Sequence, residues 1–258
     1  MFKGYLILFL IAHVIGDFYI QNSKMAEKKM ESIKWVLLHI FCHWIVMLLI
    51  YLPIMSWKFL IGVTLTAILH CFVDIAKYIL YKNKKIEITQ IKDRNLFFID
   101  QIIHMIILIG ISYCFARYSL QPVITKNSLQ PLLTEAFLNF FQTIGIPPIH
   151  VLSWILALLL IHKPANIAIS KLLMVYRLEN GVENNKGNIT VGEFIGTMER
   201  IMMLIFIFIG QYSLIGLVLT AKSIARYDRI AKEKDFAEYY LLGTLMSTVA
   251  AVVVSFVF

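Results

Sequence analysis

The stretch Phe59–Tyr81, FLIGVTLTAILHCFVDIAKYILY, decides how the chain is read. It is long and apolar enough to cross a bilayer, which takes about 20 residues in a helix. Yet it holds an imidazole at His70, a carboxylate at Asp74 and an ammonium at Lys77. In a helix these follow i, i+4, i+7 spacing and share one face. Ionisable groups are costly in hydrocarbon, so they face a bundle interior or a watery cavity. One such helix needs partners, and three other runs supply them: His13 with Asp17 in Lys3–Asn22, His39 with His43 in Ile33–Ile54, and Asp100 with His104 in Leu96–Tyr118.

Composition agrees with a membrane setting. Of 258 residues 59% are hydrophobic and 16% charged, and the mean hydropathy is +0.76. The apolar runs are continuous rather than alternating, which argues against a β-barrel. The expected fold is all-α, a polytopic transmembrane helix bundle of about seven spans. Beyond the four runs above, the spans are His150–Ile161, extendable through Pro164 toward Met174, then Thr197–Thr220 and Tyr239–Phe258. The expected division is a four-span domain over residues 1–118 and a second membrane region over 119–258, with about three spans and interfacial helices. His13, Asp17 and His43 map onto His70, Asp74 and Asp100 at a constant offset of 57 residues, as if the four spans were two copies of one hairpin.

The net charge of +8 does not point to nucleic acid, because the cations sit between the apolar runs. Lys24, Lys28, Lys29 and Lys34 follow the first run, and Lys82, Lys84, Lys85, Lys92 and Arg94 follow the third. Cytoplasmic loops facing anionic lipid carry such charge. This places both loops inside and the amino terminus outside, in a bacterial inner membrane. Ser23–Lys34 is expected to be a short cytoplasmic amphipathic helix. Counting about 1.5 Å per residue from the basic loops puts all four His/Asp pairs in the cytoplasmic half of the bilayer.

Later segments are less regular. Residues 119–147 contain Pro122 and Pro131, and the run Phe137–Phe141 is too short to cross. Glu179–Asn188 reads as a loop. If every later run crosses, the basic segment Lys222–Lys234 falls outside, against the charge rule. Cys42, Cys71 and Cys114 are an odd number without CxxC spacing, so no disulfide framework is expected. His13 and Asp17 interrupt the first run and no small-residue cleavage site follows, so it is expected to be retained rather than removed as a signal peptide.

Imidazole and carboxylate donors suit zinc first, with iron or manganese as alternatives. The candidate ligands are His13, Asp17, His39, His43, His70, Asp74, Asp100 and His104. Eight exceed one tetrahedral shell, so two metals, or one metal with orienting aspartates, both fit. No HExxH motif is present, which removes the zincin pattern. A hydrolase needs a base, for which Asp17, Asp74 and Asp100 are candidates, and a cation such as Lys77 to stabilise developing charge. Lys77 is also close enough to the interface to snorkel. A single buried polar pair more often joins helices than binds a ligand; eight together favour a site. Glu199 and Arg200 form an ion pair or bind an anionic head group, Gln211 lies within the same run, and Lys222 and Arg226 lie on a basic helix that contacts lipid phosphate.

The elements His13-x-x-Gly16-Asp17 with Gln21, His39-x-x-x-His43, His70-x-x-x-Asp74-x-x-Lys77 and Asp100-Gln101-x-x-His104 resemble the N-terminal domain of an uncharacterised bacterial multi-pass membrane family. That family is a domain of unknown function often encoded beside SatD-type proteins. Glu199-Arg200, Gly210-Gln211, Ala221-Lys222-Ser223 with Arg226, and Glu238-Tyr239 with Gly243-Thr244 resemble its longer members. The resemblance implies a membrane protein and no established activity. A looser similarity, without shared motif order, is to intramembrane hydrolases of the ceramidase and adiponectin-receptor type. The expected function is a metal-dependent intramembrane hydrolase acting on a lipid or lipid-linked substrate. The alternatives are a transporter or proton relay using the same groups, and a membrane anchor without catalysis.

Overall fold

A computed structural model of the protein describes residues 2–52, 57–83, 89–118, 136, 139–179 and 186–258, without the side chains of 175–179 and 186–190. Pro53, Lys84, Lys85, Pro122, Pro131, the start of the Phe137–Phe141 run and the centre of the Glu179–Asn188 loop lie outside the described residues. Among the described residues there is helix and no strand. Six helical stretches are long and apolar enough to cross a membrane: Phe2–Ile20, Ile33–Tyr51, Trp57–Lys82, Gln90–Arg117, Pro148–Met174 and Lys234–Ser255. The chain divides into two compact units, Met1–Leu156 and Ala157–Phe258.

In the first unit, α1 (Phe2–Val14) continues into a wider π-helical segment, Ile15–Ile20. Asn22 then caps α2 (Ser23–Glu31), accepting a bond from the Met25 backbone N–H at 2.8 Å. The chain extends at Ser32 and enters α3 (Ile33–Tyr51), α4 (Trp57–Lys82) and α5 (Gln90–Arg117). The helix expected over Ser23–Lys34 thus ends three residues early, and Lys34 belongs to α3. α3 packs on α4, α4 on α5, and α1 on both α3 and α5, while α2 lies against α3 and α4.

This bundle reverses the usual inside and outside. Leu65, Phe72 and Ile106 face outward at 48%, 65% and 63% exposure, while His70 and His104 are 2% exposed. Apolar side chains outside and ionisable ones inside are what lipid as solvent requires.

The interior has two layers. Phe9, Met47, Tyr51, Phe59, Val63, Leu108, Ile111 and Phe115 form a dry cluster. Phe59 and Phe115 meet edge to face at 4.7 Å, and Tyr51 lies 5.0 Å from Phe59. Gly62 makes this possible: a Cβ there would come within 2.1 Å of the Phe115 ring. On every helix the His and Asp positions fall on the opposite side of this cluster from the Tyr51 end of α3 and the Trp57 end of α4, toward α2, the Lys82 end of α4 and the Gln90 end of α5.

The second unit contains the end of α6 (Pro148–Ile161), α7 (Lys163–Glu179), α8 (Lys186–Phe208), α9 (Tyr212–Ile224), α10 (Tyr227–Lys232) and α11 (Lys234–Ser255). Pro164 has no N–H to donate and the winding lapses at His162, so α6 and α7 are one apolar stretch with a break. The expected span Thr197–Thr220 requires correction. It breaks between Phe208 and Tyr212, where Gly210 adopts φ +73°, a left-handed conformation suited to glycine. α9 folds back along α8, and Lys222 meets Glu199 at 2.6 Å across 23 residues of chain. Thr197–Thr220 is therefore a helical hairpin in which Glu199 and Lys222 lie at one level, and six helices long and apolar enough to cross stand where about seven spans are expected.

Candidate functional site

The His/Asp face of α4 is where four helices converge. His70 Nε2 lies 3.5 Å from Asp74 Oδ2 one turn along, and 3.4 Å from Asp17 Oδ1 of the π segment. His39 Nε2, from α3, lies 3.3 Å from Asp17 Oδ1, 3.5 Å from Asp74 Oδ2 and 3.3 Å from His70 Nε2. His43 Nε2 and His13 Nε2 each lie 3.8 Å from Asp17. α5 contributes His104, whose ring stacks on His70 at 4.2 Å, and Asp100, 3.9 Å from His104 Nδ1. All eight residues singled out by spacing are thus brought into one buried cluster, and Asp17 stands at its centre.

Local winding explains how Asp17 gets there. A π turn adds a residue per turn and rotates the side chains that follow, a distortion common at functional positions. Gly16 lets the helix approach α3: a Cβ there would lie 2.3 Å from His43 Cδ2. His43 in turn stacks on His70 at 4.1 Å.

Two lysines neutralise the aspartates farthest from the aromatic layer. Lys29, on α2, donates to Asp74 Oδ2 at 2.9 Å and to Gln21 Oε1 at 3.0 Å. Lys77 donates to Asp100 Oδ2 at 2.9 Å, so its ammonium is held by that carboxylate rather than left to snorkel. Gln101 also donates to Asp100 Oδ2, at 3.2 Å. Lys29 was not a candidate from sequence. It stands on an amphipathic surface helix among other lysines, and only the packing of α2 against α4 brings it to Asp74.

The donor chemistry fits a metal ion. Three overlapping groups, His13/Asp17/His43/His70, His39/His70/Asp74 and Asp74/Asp100/His104, each bring one ligand atom per residue within 4.8 Å of one another. Both ring nitrogens of His43 and of His104 are buried and lack a hydrogen-bond partner among the described residues, as does Asp100 Oδ1. Buried polar atoms are nearly always satisfied, and leaving one unpaired costs about 1–3 kcal/mol. Orphaned imidazole nitrogens beside carboxylates are what a cation would complete.

The other sequence candidates lie in the second unit. Arg200, 2% exposed, donates to the Ile161 carbonyl at 2.9 Å beside the Pro164 break, to Ser247 Oγ at 3.0 Å, to Asn166 Oδ1 at 2.5 Å and to Thr197 Oγ1 at 3.2 Å. All four acceptors are neutral, and Glu199 gives its carboxylate to Lys222 instead. The ion pair expected between Glu199 and Arg200 is therefore replaced by one between Glu199 and Lys222. Neighbouring helical residues point about 100° apart, which separates the two side chains. Gln211 is exposed at the hairpin tip and Arg226 is exposed beyond the base.

No curated protein and no solved structure matches the chain significantly. Residues 5–131, just under half of the chain and including every member of the His/Asp cluster, match the family described as "Protein of unknown function (DUF3307)".

Proposed function

We propose that the His/Asp cluster is a divalent-metal centre and that the protein is a metal-dependent intramembrane hydrolase acting on a lipid or lipid-linked substrate. The carrying observation is the pair of buried imidazoles, His43 and His104, whose nitrogens have no partner amid carboxylate oxygens. His13, Asp17, His43 and His70 are the primary ligand set, and the nitrogen and oxygen donors favour zinc over softer-ligand metals. A bound divalent ion supplies a Lewis acid. Asp74 is the base: Asp17 also lies within 3.5 Å of both His39 and His70 but belongs to the ligand set, whereas Asp74 is paired with Lys29. Lys77 holds Asp100 beneath His104, a positioning role.

The aromatic layer supports an enzyme over a relay. A proton path across the bilayer needs polar groups on both sides of the cluster, whereas Phe9, Tyr51, Phe59 and Phe115 close one side. Among the described residues, α2 lies on the opposite side. Asp74 lies eight residues from Lys82, about 12 Å in a helix, a depth that the scissile bond of a lipid near its head group reaches.

The hairpin also supports one orientation. With the amino terminus outside in a bacterial cytoplasmic membrane, six crossings and a returning hairpin put Lys24–Lys34, Lys82–Arg94 and Lys222–Lys234 on the cytoplasmic side together. The test is hydrolysis of ester- or phosphodiester-containing lipids by purified protein in vesicles. Release that stops with chelator, returns with zinc, and is absent in Asp74→Asn supports the reading. Chelator-insensitive release, or none across a panel of membrane lipids with metal present, counts against it.

A further inference from the structure

The hairpin of α8 and α9 encloses something besides its own contacts. Between its helices and α10 lies an open cleft of about 1380 Å³. Drug-sized sites hold roughly 300–1,000 Å³, so this one suits a long ligand. Met198 and Met202 line it from α8, and Leu217 and Val218 from α9. At the hairpin base the lining turns cationic, with Lys222, Arg226 and Arg229. One end is thus apolar and the other basic.

The charges at that end are unequally spent. Lys222 is paired with Glu199 at 2.6 Å and Arg229 with Glu233 at 3.1 Å. The Arg226 side chain makes no ion pair or hydrogen bond among the described residues, although it lines the cleft. Two carboxylates also line the cleft: Glu199 is spent on Lys222, and Asp228 stands in the first turn of α10, where helix amides offset it. Arg200 on the same helix as Glu199 is buried and hydrogen-bonded to neutral acceptors, with the Glu199 carboxylate as its electrostatic neighbour. The Tyr240 ring lies 5.5 Å from Lys222 Nζ, and its buried hydroxyl has no partner among the described residues. The cleft lining thus holds three cations against two carboxylates beside an apolar wall, which attracts an anion attached to hydrocarbon.

We infer that this cleft binds an anionic phospholipid, with its phosphate between Lys222 and Arg226 and an acyl chain along Met198, Met202, Leu217 and Val218. The inference stands apart from the His/Asp cluster and needs no metal. Arg226 supplies the free guanidinium, a group whose fork matches phosphate oxygens. A free phosphate satisfies that end alone and leaves the apolar length of the cleft unused, so the occupant is a lipid.

The experiment is native mass spectrometry of the full chain in detergent, titrated with phosphatidylglycerol, with phosphatidylcholine, and with inorganic phosphate as competitor. Phosphatidylglycerol should bind at least about tenfold more tightly than phosphatidylcholine, and excess phosphate should not displace it. Arg226→Gln, a change at an exposed position, should weaken phosphatidylglycerol by about tenfold. Val218→Trp should weaken it similarly by filling the cleft while leaving every charge in place. Equal retention of the two lipids, wild-type retention by Arg226→Gln, displacement by inorganic phosphate, or a second protein copy in place of lipid adducts would each overturn the assignment.

Discussion

Replacing Gly16 with alanine should expel metal from the cluster without removing a ligand. The added Cβ would sit 2.3 Å from His43 Cδ2 and 3.1 Å from its Cγ and Nε2. Ordinary carbon contacts lie near 3.5–4 Å, so the ring or the helix must withdraw by about 1 Å. The ring has little room, being 1% exposed and stacked at 4.1 Å on His70, which is itself stacked at 4.2 Å on His104. A displacement at His43 is therefore passed to two further candidate ligands. Overpacking of this kind costs about 1–3 kcal/mol, and a metal site loses affinity when its ligands move by as little as roughly 0.5 Å. At about 1.4 kcal/mol per tenfold, metal affinity should fall by about 5- to 140-fold if that cost falls on the bound state. The assay is competitive metal titration on purified protein, with thermal unfolding in detergent alongside. Gly110→Ala is the control, since nothing lies within 4 Å of its Cβ position; it should leave both readouts near wild type. If Gly16→Ala binds metal as tightly as Gly110→Ala, the close approach of the π segment to α3 is not what holds the site.

Three further outcomes follow from other contacts. Lys29→Met removes an ammonium that lies 2.9 Å from Asp74, and should tighten divalent-metal binding by about tenfold in the same titration, the scale of one nearby charge after partial screening. Gly62→Ala drives a methyl to within 2.1 Å of Phe115 Cζ; it should lower thermal stability by about 1–3 kcal/mol while metal remains bound. Arg200→Met leaves the Ile161 carbonyl, Asn166, Thr197 and Ser247 without their shared donor. Unfolding should show a loss of about 2–4 kcal/mol, and Arg200→Lys should not restore it, because one ammonium cannot reproduce the planar fork.

Much of the first unit was legible because two periodicities coincide there. Apolar length marked the crossings, and i, i+4 spacing put His70 with Asp74 and Asp100 with His104 on shared faces. Depth counting then predicted that the pairs meet at one level, and the contacts of Asp17 with His13, His39, His43 and His70 bear this out. What stayed hidden depends on geometry that periodicity does not encode. A π turn at Ile15–Ile20 re-aims Asp17, and Lys29 reaches Asp74 only through packing of α2 on α4. The hairpin at Gly210 was missed because Thr197–Thr220 is apolar apart from Glu199 and Arg200 at its head and Gln211 beside the break, whereas the break needs just one left-handed residue. Its signal was present in the charge rule, which conflicted with a full crossing. Asn166, Thr197 and Ser247 carried no motif at all; they matter because Arg200 needs acceptors where no carboxylate reaches.

The most direct test of the metal centre is elemental analysis of detergent-purified protein prepared without chelator, wild type beside the His70→Ala, Asp74→Ala double variant. One or two equivalents of zinc, iron or manganese in the wild type, lost in a variant that keeps its helical circular dichroism, is the predicted result. A wild type with no metal, which also fails to take up zinc on titration, would contradict the central claim and leave the eight residues as a packing network.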